Sequence, residues 1–293
     1  MRFRPIRLSG LVVAVMLVAG CDVRVGENGV SVDVSHSKAV EEWNRTYKLA
    51  KGGTLEIVNT NGAIVLNAGT GDQVEITARR DARAASDEEA QALLKETSIA
   101  EEVSATRVAI RSSNGKGLLR GRRSISVEYQ VSVPAGLQVS LKTENAGIGL
   151  HDVDGTVTAS TTNGSIRGTN LAGAVSAHIV NGAITMEVTR PSGPIELDSV
   201  NGGIRLDVPG NLKADVEASA VNGGVVAEDG LPIVVTDKSR TRLSGKMNGG
   251  GLRISATTVN GGVRIGALKP GSRPQASDPQ SLNQTGAVLI EKR

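Results

Sequence analysis

Histidines, a cysteine and carboxylates are the residues of this protein that could bind a metal ion or carry out catalysis. The three histidines are His36, His151 and His178, and they form neither an H-E-x-x-H nor an H-x-H motif. Cys21 is the only cysteine, so the residue types do not predict a zinc site. The segment 151–155 could imitate a cation-binding loop, but it lacks the third acidic position and the distal glutamate of an EF-hand. We therefore expect a turn there, with no metal ion and no cofactor.

Carboxylates on a repetitive β-structure could also cleave polysaccharides, which requires two of them at a defined separation across the scissile bond. The candidates are Glu187, Glu196 and Glu217, and we expect them to occupy different positions in their repeats. They would then not converge on one site, and the sequence also lacks the Gly-x-Ser-x-Gly motif. An enzyme that acts on cell-wall glycans is accordingly the least favoured of three functional hypotheses, and we expect no enzymatic activity.

Cys21 ends an N-terminal segment that has the properties of an export signal. Arg2, Arg4 and Arg7 precede an apolar run of a dozen residues (8–19), which is too short to cross a bilayer comfortably. This order, with small residues before the cysteine, resembles a bacterial lipoprotein signal and predicts cleavage before Cys21 and acylation of its thiol. A plain secretory signal followed by an incidental cysteine is the alternative. Several acyl chains would anchor the protein firmly to a membrane.

The residue after the cysteine and the net charge bear on where the protein acts. Asp22 resembles the enterobacterial sorting signal that retains a lipoprotein in the inner membrane, facing the periplasm. The outer membrane or the cell surface is the alternative location. The sequence has 33 basic and 30 acidic residues, and loss of the three signal-segment arginines leaves 30 of each. A net charge of zero does not favour nucleic-acid binding, which uses a concentrated basic surface.

A glycine-rich stretch at 114–123 contains a cluster of positive charges: Lys116, Arg120, Arg122 and Arg123. This cluster could contact anionic lipid or another polyanion. The stretch is not a phosphate-binding P-loop, because Lys116 is not followed by serine or threonine. We favour the interpretation that it is a solvated hairpin tip whose charges discourage pairing at a sheet edge.

The residues that would position any such site belong to a repeat marked by the dipeptide Asn-Gly. We expect structural turns at Asn61, Asn163, Asn181, Asn201, Asn222, Asn248 and Asn260. Asn145-Ala146 stands where a further copy is due, and the steps from Asn145 are 18, 18, 20, 21, 26 and 12 residues. A unit of about twenty residues is typical of a repeat architecture. If the units stack, their asparagine amides can form hydrogen bonds along the stack axis.

Apolar residues alternate on both sides of each Asn-Gly pair. They lie two, four and six residues before the asparagine, and three and often five residues after it. This change of parity lets a two-residue turn keep both strands facing one core. The pattern fits antiparallel hairpins in a meander or barrel, and it also fits one corner of each rung in a β-solenoid. One Phe, one Trp and two Tyr in 293 residues favour the solenoid, whose narrow interior suits small side chains.

The residues before the repeat predict an end cover for it. Strands are expected at 54–58, 63–66, 73–78, 103–111 and 124–133. The order Ser86-Asp87-Glu88-Glu89 predicts a capping box that starts a helix. A strand pair is expected around Asn28-Gly29, and the spacing of Trp43 and Tyr47 would place both on one helical face.

The run from Asn145 to Ile265, in which Asn-Gly-[Ala/Gly/Ser]-[Ile/Val] recurs, resembles a bacterial putative-adhesin family of unknown function. Its members carry β-repeats, often behind a signal or a lipid anchor, and the resemblance covers roughly residues 54 to 265. It implies a parallel β-solenoid-like fold and no known enzyme activity. Asn145-Ala146 and the uneven last two steps depart from the pattern of that family.

The sequence thus predicts a mainly β protein with a parallel β-solenoid or β-roll-like repeat and one short helix in an N-terminal cap. The predicted segments are a lipoprotein signal peptide at 1–20, a linker at 21–52, the β/α cap at 53–134, the repeat at 135–266 and a proline-rich tail at 267–293. The favoured function is a lipid-anchored envelope protein that binds an envelope protein or polysaccharide for adhesion or scaffolding. A regulatory or sensory lipoprotein that binds a small ligand or a protein partner is the alternative.

Overall fold

The computed structural model describes residues 16–17, 23–26, 29–32, 37–113 and 123–268, with backbone only for the first three ranges. Two sheets of eleven strands face each other across one hydrophobic core. Sheet I runs β21-β22-β19-β23-β17-β15-β13-β11-β5-β9-β8, and sheet II runs β1-β4-β7-β10-β6-β12-β14-β16-β18-β24-β20. The N-terminal elements in sequence order are β1 (Met16–Leu17), β2 (Val23–Gly26), β3 (Gly29–Val32), β4 (Ser37–Tyr47), β5 (Thr54–Val58), β6 (Ile64–Ala68), β7 (Val74–Ala84), α1 (Asp87–Glu96), β8 (Ser98–Val103), β9 (Arg107–Ser113) and β10 (Ser124–Val133). The remaining strands are β11 (Leu137–Asn145), β12 (Ile148–His151), β13 (Gly155–Asn163), β14 (Ile166–Ala172), β15 (Val175–Asn181), β16 (Ile184–Arg190), β17 (Ile195–Asn201), β18 (Ile204–Val208), β19 (Ala214–Asn222), β20 (Val225–Ala227), β21 (Ile233–Lys238), β22 (Arg242–Met247), β23 (Leu252–Asn260) and β24 (Val263–Ala267).

The repeat is a stack of rungs, each with one strand in sheet I, a corner at the asparagine, and one strand in sheet II. Within the described residues the stack contains seven rungs, in the spatial order β5/β6, β11/β12, β13/β14, β15/β16, β17/β18, β23/β24 and β19/β20. Neighbouring rungs pair in parallel and in register, so that Asn163 lies opposite Asn181 and Ile166 opposite Ile184. The parallel solenoid-like prediction is confirmed, and the antiparallel meander is excluded for these rungs.

Buried side chains form columns along the stack. The residues three positions after each corner asparagine are all buried: Ile64, Ile148, Ile166, Ile184, Ile204, Val263 and Val225. In β15, Val175, Ala177 and Ile179 point inward, as the alternation before the asparagine predicts. The predicted change of parity at the corner is therefore confirmed, and both strands of a rung contribute to one core.

The last rung in the sequence is not the last rung in the stack. Strands β23 and β24 lie between β17/β18 and β19/β20, and they pair in parallel with both neighbours. The antiparallel pair β21–β22 occupies part of the intervening sequence, and β22 extends sheet I along the outer side of β19. The uneven last two steps between asparagines thus come from a rung that returns into the stack.

The N-terminal end is covered by antiparallel strands and the helix. Strands β4, β7 and β10 extend sheet II, and α1 packs over them through Ala90, Leu93 and Leu94. The Ser86 hydroxyl accepts a hydrogen bond from the Glu89 amide, as the predicted capping box requires, whereas the Glu89 carboxylate lies near Arg123. The described residues contain no helix that is long and apolar enough to cross a membrane.

Three predictions in this part need correction or refinement. Trp43 and Tyr47 lie on strand β4 and not on a helix; their spacing of four places both on one face of a strand as well, and both are buried. Of the strand predicted at 103–111, residues 107–111 lie in β9, whereas Val103 ends strand β8, which pairs with β9 in antiparallel orientation. The predicted pair around Asn28 is present as β2 and β3, while Asn28 itself lies outside the described residues.

Candidate binding surface at the asparagine corner

Seven asparagine side chains form a continuous hydrogen-bonded line along one corner of the stack, which we call the asparagine ladder. In each step the Nδ2 atom of one residue donates to the Oδ1 atom of the asparagine before it in the stack, at 2.7 to 2.9 Å. The order of its members is Asn61, Asn145, Asn163, Asn181, Asn201, Asn260 and Asn222. An uninterrupted ladder is possible because the parallel register brings identical residues into contact in successive rungs.

Glycine follows six of the seven ladder asparagines, and the close approach of a neighbouring backbone requires it there. A Cβ atom at Gly182 would lie 1.6 Å from the backbone oxygen of Gly164, and one at Gly202 would lie 1.7 Å from that of Gly182. Such contacts cannot relax, because the opposing atoms belong to the backbone. Both glycines also have positive φ, at 139° and 156°. The amide ladder thus requires the asparagine of the dipeptide, and the narrow space between neighbouring corners requires the glycine.

Asn248 does not belong to the ladder. It follows β22 in a turn with a φ of 48°, and its Nδ2 atom donates to the backbone oxygens of Gly210 and Leu212 at 3.0 and 2.8 Å. Asn145, by contrast, is a ladder member although alanine follows it. An Asn-Gly pair therefore marks a turn in this protein, but it does not always mark a corner of the stack.

A strip of solvent-facing valines runs beside the ladder on the outer face of sheet I, and we call it the valine strip. Its members directly precede four successive ladder asparagines, in the order Val180, Val200, Val259 and Val221. Val180 and Val200 are partly exposed, Val259 is 38% exposed and Val221 is 67% exposed. At the strand spacing of about 4.8 Å, the strip extends over about 14 Å. A continuous apolar strip of this kind is the surface feature of sheet I that most needs an explanation.

On the other side of the corner, sheet II has a shallow groove of about 330 Å³. Three glycines contribute to its lining, Gly203, Gly262 and Gly224, each two residues after a ladder asparagine. Arg205 and Arg264 lie along the groove in neighbouring rungs, as does the half-exposed Val226 beyond them. We call this feature the glycine groove.

The charges beside the glycine groove are largely paired. Arg205 binds the Asp207 carboxylate at 2.9 Å and the Glu228 carboxylate at 2.9 Å. Arg264 lies 3.6 Å from Glu228. Hydrogen bonds from the Arg205 guanidinium to Asp207, and then to Glu228, raise the pKa of Arg205 further above its ordinary value. Because two arginines face two carboxylates, this groove does not present a concentrated positive charge to an anion.

The structure separates the carboxylates that sequence analysis considered for glycan cleavage, and it corrects their placement. Glu196 and Glu217 occupy the same column of sheet I, five residues before their asparagines, with Ser255 of the inserted rung between them. Two strand spacings put them about 10 Å apart on an open face. Glu187 lies on sheet II. The prediction that all three occupy different positions was wrong for Glu196 and Glu217.

The histidines and the acidic side chains also show no metal centre among the residues that the structure describes. The Nδ1 atom of His151 lies 2.9 Å from the Thr169 hydroxyl, and burial lowers the pKa of this imidazole. Asp152 follows in a turn with a φ of 58° and accepts a hydrogen bond from Asn170 at 2.6 Å. His178 is exposed on sheet I, next to the valine strip.

The described ranges contain only part of the predicted contact sites. Cys21 and Asp22, the predicted lipidation and sorting residues, lie outside them, as do Lys116, Arg120 and Arg122 of the basic cluster. Arg123 is described, and its Nε atom lies 3.8 Å from a carboxylate oxygen of Glu89 in helix α1. Sequence reasoning missed the valine strip, although the signal was present: four of the asparagines are preceded by valine.

Comparison with known proteins places the fold in a family. Similar solved structures include a putative cell adhesion protein from Clostridium sporogenes, which is 12% identical, with a TM-score of 0.47 over 78% of this chain and 100% of the other. A putative adhesin from Bacteroides fragilis and a putative lipid binding protein from Parabacteroides distasonis are each 10% identical, with TM-scores of 0.26 and 0.29 over 78% of this chain and 97% of theirs. No curated protein sequence matches the chain. The model of the Toastrack DUF4097 family matches residues 98–266, which is more than half of the chain, and the protein belongs to that family.

Proposed function

We propose that this chain is a lipid-anchored protein of the bacterial cell envelope that binds a protein partner through the valine strip and the asparagine ladder beside it. The observation that carries the proposal is the valine strip itself. Single exposed valines are common on soluble proteins, but four in successive rungs along one face typically mark an interaction surface. The strip lies on strands whose backbone hydrogen bonds are already made, so it is rigid before any partner arrives.

The composition of this surface favours a protein over a polysaccharide. Surfaces that bind sugar rings usually stack them on aromatic side chains. The described residues place Trp43, Tyr47 and Tyr129 in the core and leave no aromatic ring on the valine strip. The five interior ladder amides keep one Nδ2 hydrogen and one Oδ1 lone pair each for an outside partner. An apolar strip beside polar groups has the arrangement of an interface centre and its rim.

The anchor and the location rest on the sequence. The arginines, the apolar run and the small residues before Cys21 support export and acylation, and Asp22 supports the periplasmic face of the inner membrane. The acylated cysteine would leave the folded stack outside the bilayer, with its corner free for a partner. The mass of the mature N-terminal peptide should show the acyl chains, and Cys21→Ser is expected to abolish both this modification and the cleavage before residue 21. An unmodified thiol would contradict the anchor.

The binding proposal is tested with lysine substitutions on the outer face of sheet I. Val221→Lys and Val259→Lys place charges on the strip without entering the core, and Thr158→Lys is the matched control on the same sheet. We expect a partner that crosslinks to the wild-type protein in intact envelopes to be lost with the two valine variants and kept with the control. Equal crosslinking by all variants would contradict the proposal, as would turnover of purified cell-wall glycans by the protein.

The glycine groove supports a second candidate function, a regulatory or sensory lipoprotein that binds a small ligand. Its volume of about 330 Å³ lies in the range of small-molecule sites. Val226→Phe would fill one end of the groove and leave the valine strip unchanged. Loss of a small ligand with this variant, together with normal binding by Val221→Lys, would favour the sensory function over partner binding.

A further inference from the structure

The Asn-Gly pairs are prone to deamidation, and the hydrogen bonds of the stack restrain this reaction. In any Asn-Gly pair the backbone nitrogen of glycine can attack the amide carbon of the asparagine side chain. The new C–N bond closes a succinimide ring, the bond from that carbon to the Nδ2 atom breaks, and ammonia leaves. Water then opens the ring to aspartate or to isoaspartate, whose backbone is one methylene longer. Glycine accelerates the first step because it has no side chain to hinder the attack.

Inside the stack, both reacting groups are held. The glycine amide of each interior corner donates to the backbone oxygen of the asparagine in the next rung. The bonds are Gly62 to Asn145 at 3.3 Å, Gly164 to Asn181 at 3.0 Å, Gly182 to Asn201 at 2.9 Å, Gly202 to Asn260 at 2.8 Å and Gly261 to Asn222 at 3.0 Å. The leaving amide is fixed as well, because each Nδ2 atom of those corners except that of Asn61 donates along the ladder. Attack requires the corner to open first.

The corner at the C-terminal end of the stack lacks this protection. Asn222 belongs to the outermost rung, and its Oδ1 atom accepts no hydrogen bond from any residue that the structure describes. The Gly223 amide likewise has no acceptor within the described ranges. Val221 is 67% exposed and Asn222 is exposed, so water reaches this asparagine, while the amides of Ala220 and Val225 on either side of the corner donate to the backbone oxygens of Thr241 and Arg240. Within the described part of the chain, the Asn222 side chain makes one hydrogen bond, from its Nδ2 atom to Asn260 at 2.8 Å.

We propose that Asn222-Gly223 is a site of spontaneous deamidation in the folded protein, and that the ladder protects the five other Asn-Gly corners. This inference does not depend on the proposed binding function. The reaction proceeds from the exposed end. Isoaspartate at 222 moves the backbone oxygen that Gly261 uses, and aspartate removes the amide that donates to Asn260. The pair Asn260-Gly261 then becomes the next exposed corner.

The reaction also alters the valine strip. Deamidation of Asn222 places a carboxylate directly after Val221, the most exposed of its four valines. A surface that starts as apolar and amide-lined thus acquires negative charge at one end as the protein ages. Because the interior corners keep their hydrogen bonds, the rest of the strip is unchanged at that stage.

The test follows all six ladder Asn-Gly corners in one full-length sample kept folded in mildly alkaline buffer. Peptide mass spectrometry reads the mass gain of deamidation at each corner, with fragmentation to separate aspartate from isoaspartate. We expect Asn222 to react about tenfold faster than Asn181, Asn201 and Asn260, because those corners must first open locally. In urea the six rates should become similar.

Two further measurements test the order in which the corners react. Fragmentation of the intact protein should show that molecules modified at Asn260 are already modified at Asn222. Asn222→Gln, which reacts slowly, should delay the modification of Asn260 and leave the unfolded-state rate of Asn260 unchanged. Equal folded-state rates at Asn222 and Asn181 would overturn the proposal, and so would modification of Asn260 before Asn222.

Discussion

At its N-terminal end the stack is covered by three long antiparallel strands and a helix, whereas at its C-terminal end a late segment of the polypeptide returns between two rungs. The first cover contains the bulky buried residues Trp43, Tyr47 and Tyr129, together with the ion pair between Arg45 and Glu101, which links the two sheets. At the second end, only the three-residue strand β20 closes sheet II, next to small residues such as Ala218 and Ala220.

The comparison of the two ends shows two ways to terminate the same stack. Packed side chains close the N-terminal end, whereas the path of the backbone closes the C-terminal end. At the N-terminal end, the Tyr47 hydroxyl donates to Glu101 of β8 at 2.6 Å, and Arg45 binds the same carboxylate at 3.2 Å. These contacts join the edges of the two sheets. At the C-terminal end, the β19/β20 rung is held by the parallel strands of the inserted rung. We therefore expect truncation of buried side chains to destabilise mainly the N-terminal end. Substitutions that crowd the backbone should destabilise mainly the C-terminal end.

The largest effect is expected from Gly202→Ala, which tests the crowded corners next to the inserted rung. The new Cβ atom would lie 1.7 Å from the Gly182 oxygen, and neither backbone can move without breaking the ladder. We expect a loss of about 4 kcal/mol or more in the free energy of unfolding, measured by urea denaturation. The matched control is Gly210→Ala, since a Cβ atom there has no neighbour within 4 Å. A loss at Gly202 as small as that of the control would show that the rungs are not closely stacked.

A smaller loss is expected from Leu93→Ala in helix α1. Leu93 is fully buried against the N-terminal strands, so truncation leaves a cavity. The expected loss is about 3 kcal/mol. Hydrogen exchange should show faster opening of β4 and β7 with unchanged protection of β17 and β23. The exposed neighbour Gln91→Ala serves as the control, and faster exchange throughout the stack would contradict a locally acting cover.

The next largest effects are expected in the asparagine ladder, where an interior amide should stabilise the fold more than a terminal one. Asn181→Ala removes two ladder hydrogen bonds, whereas Asn222→Ala removes one. At about 1 kcal/mol per bond, we expect losses of about 2 and about 1 kcal/mol in thermal or urea unfolding. Equal losses at both positions would indicate that the amides act independently of the ladder.

The smallest effect at neutral pH is expected from Tyr129→Phe, but this variant should change the response to alkali. Burial raises the pKa of Tyr129 to about 12. In the unfolded protein the phenol loses its proton near pH 10, so its contribution is complete below about pH 10 and is lost as the pH rises toward 12. Between pH 10 and 12, the free energy of unfolding of the variant should therefore decrease less steeply with pH than that of the wild-type protein, as measured by denaturation at a series of pH values. An unchanged profile would show that Tyr129 is not buried in its neutral form.

Much of the repeat could be predicted because its signal is local and periodic. The buried positions around Asn181 follow from alternation and a two-residue turn, and the amide ladder follows from identical residues in stacked rungs. The position of the inserted rung could not be predicted, because the spacing of Asn222 and Asn260 says nothing about which rung each one contacts. The spacing of Trp43 and Tyr47 predicts a shared helical face, but a spacing of four also places two residues on one face of a strand, so the pattern does not distinguish the two elements. The membrane anchor at Cys21 remains a prediction.

The spatial order of the rungs is the central claim, and pairs of cysteines test it most directly. In a protein that also carries Cys21→Ser, Val200→Cys with Val259→Cys would lie in adjacent rungs with Cα atoms about 4.8 Å apart, within the range of a disulfide. Val200→Cys with Val221→Cys would be two rungs apart, at about 10 Å, too far for a disulfide bond. The structure predicts rapid oxidation of the first pair and none of the second, whereas a stack that follows the sequence order would give the reverse.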